Sequence, residues 1–141
     1  MPALNPYLNF NGTTEEAFGF YKSVFGGEFA MVMRFKDIPK EYKGADHEDN
    51  KIMHIALPIA GGNVLMGSDV PESMSKVTTG NNIQISISPA SKEEADKLYN
   101  GLSAGGTVTM PMADAFWGAY FGMCIDKYGI SWMINYDSTP R

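Results

Sequence analysis

"TTEEAFGFYKSVFGG" at residues 13–27 and "SKEEADKLYNGLSAGG" at 91–106 decide the fold, because they read as two versions of one helix. Laid over each other, Thr13, Glu16, Ala17 and Tyr21 fall on Ser91, Glu94, Ala95 and Tyr99. Each segment opens with a hydroxyl residue three positions ahead of a glutamate. In such a capping box the hydroxyl oxygen accepts the backbone N–H of the third helical residue, and the glutamate reaches back to the N–H of the cap. Each closes on a glycine pair, Gly26 with Gly27 and Gly105 with Gly106, where a helix end calls for a left-handed residue. Two capped amphipathic helices can agree by chance. Agreement of caps, tyrosines and glycine pairs together favours duplication.

The flanks extend the match. "NPYLNFNG" (5–12) and "NNIQISIS" (81–88) precede the two helices and alternate in polarity, the mark of a strand with unlike faces. In the second, Ile83, Ile85 and Ile87 share the face expected beneath the helix, while Asn82, Gln84, Ser86 and Ser88 share the other. Strand-like runs follow the first helix at 28–35, 51–59 and 63–68, the last two joined by a Gly61-Gly62 hairpin signal, and the second helix at 107–112, 116–125 and 130–136. Each half therefore reads strand, helix, strand, strand, strand. The turn-rich stretch 70–80, with Pro71, Ser73, Ser75, Thr78 and Thr79, is the expected connector. Such a repeat predicts an α+β fold of two βαβββ modules whose curved sheets surround a cleft with the helices outside. It is read as one domain, 1–141, with module one at 1–69, the connector at 70–80 and module two at 81–141.

Composition narrows the partners. A net charge of −5, with 11 basic residues scattered along the chain, argues against nucleic acid or an anionic membrane. No apolar run approaches the ~18 residues that span a bilayer, and no basic, apolar leader opens the sequence, so a cytoplasmic location is expected. Cys124 is the single cysteine and has no internal partner for a disulfide.

Three stretches together, "PYLNFNGTTEEAFGFYKSVFGGE" near the start, "MHIALPIAGGNVLMGSD" at 53–69 and "FWGAYFGMCIDKYGISWMI" at 116–134, carry a resemblance over nearly the whole chain. The sequence resembles the vicinal oxygen chelate superfamily of glyoxalase I, bleomycin-resistance proteins and extradiol dioxygenases, and specifically its PhnB-like branch. The resemblance implies a homodimer and a cavity strand with a turn at 116–129. Rings there would wall the pocket while glycines admit close approach of a ligand or backbone, and Asp126 and Gly129 match the family's Asp-Pro-x-Gly turn with Lys127 in place of proline. Trp117, Tyr120 and Phe121 are the aromatic candidates, each equally readable as ordinary core.

In metal-using members four inward side chains hold a divalent ion. The matching positions here are Asn5 (or Pro6 by a shift of one), His54, Asn82 and Met133. Only His54 is a strong ligand; two amides and a thioether make a poor site, so no catalytic metal and no cofactor is expected. Alternation places His54 with Ile52 and Ala56, opposite Met53, Ile55, Leu57 and Ile59, and so toward the cleft. There it can bind an anionic group or act as a base; alternatively it is a histidine satisfied by a carbonyl or by Asn82. Tyr7, on the first strand, joins the binding candidates.

Other motifs fail on spacing. "HED" at 47–49 lacks the second histidine of a zincin helix, since position 51 is Lys51, and reads as a solvated acidic loop. The charged run 36–50 between two strands reads as a lid. No glycine-rich loop for a methyl donor is present, although relatives of this branch often bear a demethylubiquinone methyltransferase name. Two functions remain. One is metal-free binding of a small, partly apolar or aromatic molecule, with Trp117, Tyr120 and Met133 as walls, Asn5, His54, Asn82 and Gln84 as polar anchors, and Tyr7 and Phe121 as further binding residues. The other is a metal-dependent lyase, isomerase or dioxygenase using His54. No catalytic residue is named.

Overall fold

The computed structural model describes residues 2–42, 45–59, 61–74 and 76–137. Within them both halves run in the same order. Unit one (Met1–Thr78) contains β1 (Tyr7–Phe10), α1 (Thr14–Phe25), β2 (Met31–Arg34), β3 (Ile52–Ile59) and β4 (Asn63–Asp69). Unit two (Thr79–Arg141) contains β5 (Ile85–Ile87), α2 (Lys92–Ser103), β6 (Thr107–Asp114), β7 (Ala119–Ile125) and β8 (Ser131–Asp137). The sheets are ordered β1-β4-β3-β2 and β5-β8-β7-β6, so the topology is repeated strand for strand. In each sheet the first strand runs parallel to the last and the other pairs are antiparallel. The α+β class read from the sequence is the one found. Ser75 of the connector, positions 43 and 44 of the charged run and the last four residues of module two lie outside the described residues.

Each helix buries one stripe. In α1 the buried positions are Thr14, Ala17, Phe18 and Tyr21, and in α2 they are Ala95, Leu98, Tyr99 and Leu102. Both sets follow the spacing i, i+3, i+4, i+7 that a single face requires. The α1 stripe packs on β3 and β4, where Ile55, Leu57 and Leu65 are buried, with Leu8 and Phe10 of β1 completing the core. The α2 stripe packs on β6, β7 and β8, over Cys124, Trp132 and Ile134. Burying each large side chain contributes about 1.5–3 kcal/mol. At Gly67 the fit is so close that a Cβ would stand 2.7 Å from the Leu8 carbonyl and 2.8 Å from the Phe18 ring.

Three local expectations are overturned. Thr13 makes no side-chain cap on α1. Instead the buried carboxylate of Asp69, at the end of β4, accepts from Thr14 N–H (3.0 Å) and Thr14 Oγ1 (2.7 Å) with one oxygen, and from Ile52 N–H (2.9 Å) with the other. A full negative charge at the helix start outcompetes a hydroxyl for those donors. In α2 the Ser91 hydroxyl does accept Glu94 N–H, but the glutamate takes the N–H of Ala90, one residue before the cap.

Second, β5 is shorter than its alternating pattern. Asn82, Ile83 and Gln84 precede it, and Ile83 is 76% exposed instead of lying beneath a helix. The cause is that α2 sits over the other three strands of its sheet.

Third, Ile52 does not share the face of His54. Met33 pairs with His54 while Arg34 pairs with Ile52, so Met53 is an extra residue in β3. This β-bulge resets the alternation, and Ile52 is fully buried along with Ile55 and Leu57.

Asp69→Ala should strand two backbone donors and a hydroxyl in the interior and lower unfolding free energy by about 2–4 kcal/mol in urea. Asp69→Asn, which keeps an acceptor oxygen, should cost less; equal stability of Asp69→Ala and the parent chain would remove the carboxylate from its anchoring role.

Candidate functional site

The face of each sheet turned away from its helix carries the side chains left for function. In unit one the register sets Tyr7 beside Met66, Met66 beside Ala56 and Ala56 beside Met31, a row crossing all four strands. The next row along that face contains Asn9 beside Ser68 and, on the other side, His54 beside Met33. Ile55 pairs with Gly67, so His54 and Ser68 sit one step further along the same two strands. One row is therefore mainly thioether and ring, and its neighbour mainly polar. The Tyr7 hydroxyl lies 3.2 Å from His54 Nδ1, and the two rings are 5.6 Å apart and tilted by 30°. Ser68 Oγ donates to Asn9 Oδ1 at 3.3 Å.

In unit two the corresponding row is Ser86, Met133, Met123 and Met110. Phe121, beside Asn135, follows on that face. Trp117 lies before β7, in the turn from β6, and packs edge-on against Phe121 at 5.4 Å and Phe116 at 5.0 Å. Phe116 is 98% exposed. Tyr120 is on the opposite face from Phe121, with its hydroxyl donating to Asp96 Oδ1 of α2 at 2.5 Å. That bond is the main cause holding its phenol above the usual tyrosine range. The three aromatic candidates thus divide: Phe121 and Trp117 touch, and Tyr120 belongs to the helix side.

Asn5 is committed within unit one. Its Oδ1 accepts Val64 N–H at 2.9 Å, extending the pairing of β1 with β4, and the Pro6 carbonyl does the same for Met66 N–H. Of the four positions that match the family's metal ligands, only His54 is a strong ligand, and its Nδ1 is already bonded to Tyr7. The residues present do not fit a four-ligand catalytic ion. Asn9 and Ser68 escaped the sequence reading, although their spacing from Tyr7 and Met66 by two residues in a strand put them on this face.

Within 116–129, Gly122 serves the fold. Met112 fills the space over Gly122 with its thioether, so that glycine is approached by the chain's own side chain. Asp126 closes the turn with Oδ1 taking Tyr128 and Ile130 N–H, while Oδ2 takes the Trp132 indole N–H at 2.8 Å.

Among the described residues, the charged run 36–50 and Phe35 before it form three short 3-10 turns, and the ends of the run hold each other. Lys36 N–H donates to Asp49 O, Phe35 N–H to Lys51 O, and Arg34 reaches Asn50 O while gripping Glu15 through two bonds. Glu48, expected on a solvated loop, is buried, because its carboxylate accepts Glu72 N–H and lies 3.6 Å from Lys51 Nζ. His47, Glu48 and Glu72 bring ligand atoms within 4.8 Å of one another. Lys51 Nζ, 3.8 Å from Glu72, supplies the neutralising cation there, and the His47 bond holds the Glu72 carboxyl below its ordinary range.

A family model described as 3-demethylubiquinone-9 3-methyltransferase matches residues 2–135. The chain belongs to that family. The protein PA1353 from Pseudomonas aeruginosa is 39% identical, with 97% of this chain and 98% of that one covered and a TM-score of 0.86. A PhnB protein from Bacillus cereus bearing the same methyltransferase name is 25% identical, with 96% and 99% covered and a TM-score of 0.67. A glyoxalase-related enzyme from Fulvimarina pelagi shares the fold, at 17% identity, 96% and 89% coverage and a TM-score of 0.62. The PhnB-like resemblance is thereby shown, and the fold is one shared with a glyoxalase-related protein. No helix among the described residues is long and apolar enough to cross a membrane.

Cys124 is buried on the helix side, and desolvation, with Asp126 nearby, pushes its thiol up to about 11. The folded state therefore keeps a proton that the unfolded chain releases near 9, so stability should fall as pH rises from about 9 to about 11. Cys124→Ala should flatten part of that slope in urea titrations, and the native thiol should ignore Ellman's reagent until the chain is unfolded. Rapid labelling of the folded protein would contradict this placement.

Proposed function

We propose that the chain is a PhnB-like binding protein that takes a small, partly apolar or aromatic molecule on its helix-free sheet faces without a catalytic metal. One observation carries this reading: the helix-free face of unit one pairs a thioether and ring row with a polar row, where a merely solvated face would be polar throughout. Flexible, polarizable methionines accept varied apolar shapes, and fixed polar groups orient them. Met133, Met123 and Phe121 support the same reading in unit two, with Trp117 packed against Phe121 at the edge of that set. Asn82 and Gln84, which are exposed and precede β5, are proposed as polar anchors at its approach.

The chain is further proposed to act as a cytoplasmic homodimer, with nucleic acid and membrane excluded as partners by its charge. Support comes from two edge strands with exposed apolar residues, Met31 and Val32 on β2 and Val108 and Met110 on β6. A second reading, a metal-dependent lyase, isomerase or dioxygenase using His54, is favoured by the fold and by the ligand character of that side chain. The methyltransferase activity in the family's name is a third, resting on the family match alone.

Thermal-shift screening against aromatic acids, amides and divalent ions should raise the melting temperature with aromatic compounds in the presence of EDTA. Stoichiometric retention of zinc, nickel, manganese or iron that is lost in His54→Ala would replace this proposal with the metal-dependent one. Light scattering on the eluted protein should give twice the chain mass.

A further inference from the structure

Resting on that binding reading, the geometry points to a two-donor subsite for a carboxylate, built from His54 Nε2–H and the Asn9 side-chain amide on the polar row of unit one. We infer that Tyr7 is its positioning residue. A neutral imidazole has one donor and one acceptor nitrogen, and the bond made by one nitrogen decides the role of the other. Tyr7 stands at Nδ1. A phenolic oxygen shares its lone pair with the ring and is a better donor than acceptor, so the hydroxyl donates to Nδ1 and the ring proton lies on Nε2. Among the described residues nothing else bonds to His54 Nε2 or to the Asn9 amide nitrogen. Ser68 Oγ, by donating to Asn9 Oδ1, engages the acceptor end of that amide and leaves its two N–H groups as the outward chemistry.

The two donors lie in one row of the sheet, on either side of Ser68. Asn9 is on β1 and His54 on β3, with Ser68 of β4 between them. Strands two apart are separated by roughly 10 Å, yet the Tyr7 hydroxyl of β1 reaches His54 of β3, which shows that side chains from these strands meet above β4. A group that offers only acceptors satisfies both donors at once. A primary amide has one acceptor oxygen to share between the two donors and no negative charge, and its NH2 end gains nothing from either. Beside the polar row lie Tyr7, Met66, Ala56 and Met31, which suit the apolar remainder of an aromatic or aliphatic acid.

The test uses the intact chain with benzoate and benzamide as probes. Long-range nitrogen–proton NMR of the histidine rings, assigned with His54→Ala and His47→Ala, reads the tautomer directly in the unliganded protein. The expected result is an Nε2–H ring in the parent chain and a mixture of tautomers in Tyr7→Phe. Benzoate should bind at least about tenfold more tightly than benzamide and shift the His54 signals. Asn9→Ala and His54→Ala should each weaken benzoate binding by about tenfold and lose most of that preference. An Nδ1–H tautomer, or equal binding of the two probes, overturns the subsite while leaving the binding reading intact. Failure of both probes to bind, with the parent chain folded by circular dichroism, overturns the binding reading and the subsite with it.

Discussion

A helix of twelve residues is about 18 Å long and lies along one face of a four-stranded sheet. Each unit of this chain has one such helix and one such sheet, so each sheet has a covered face and a face that its own helix leaves alone. Strand alternation then divides the chemistry with little freedom. Leu8, Phe10, Ile55, Leu57 and Leu65 go beneath α1, and Tyr7, Asn9, His54, Met66 and Ser68 go to the other side. The same division separates neighbours in β7, sending Tyr120 to Asp96 of α2 and Phe121 away from it. Functional candidates in this fold are selected by parity before they are selected by residue type.

The repeated topology does not carry repeated bonding. Each unit locks its elements with a buried carboxylate saturated with donors, as a buried charge demands. In unit one Asp69 ties the end of β4 to the start of α1 and the start of β3. In unit two Asp126 sits between β7 and β8, shaping their turn and fixing the Trp132 indole. Helix α2 takes its cap locally from Ser91, while α1 takes its cap from a residue 55 positions away. The strand order survives because it is set by hydrophobic pattern and connection length, whereas any well-donated carboxylate can lock the pieces in place.

Local pattern made the helices, eight strands and the duplication legible, since caps, glycine pairs and alternation are written within a few residues of the element they specify. The misreadings all came from tertiary geometry. Nothing near Thr13 announces that Asp69 will displace it. The bulge at Met53 exists only in the pairing of β3 with β2, and it reverses the face of Ile52 while leaving that of His54. Ile83 continues a perfect alternation and still falls outside the strand, because alternation records a preference for two faces and not the presence of a helix over one of them. At the site, His54 and Tyr7 were visible as residue types, but their contact spans an intervening strand and so has no trace in sequence spacing.

The placement of donors and thioethers suits the proposed binding better than it suits chelation. A divalent ion needs several strong, free ligand atoms converging on one point, and its tolerance for distance error is a few tenths of an ångström. Asn5 has already given its carbonyl to Val64, and His54 has given one nitrogen to Tyr7. Those bonds fix side chains across three strands instead of gathering them around a point. A molecular ligand makes the reverse demand: a few directed polar contacts at one end and compliant apolar contact along the rest. Hydrogen-bonded side chains such as Tyr7, His54, Ser68 and Asn9 hold direction because moving one disturbs its partner. Unbranched thioethers such as Met31 and Met66 hold none, since three rotatable bonds let each refit at small cost. Rigidity in one row beside compliance in the next would restrict the headgroup of the proposed ligand more tightly than its body.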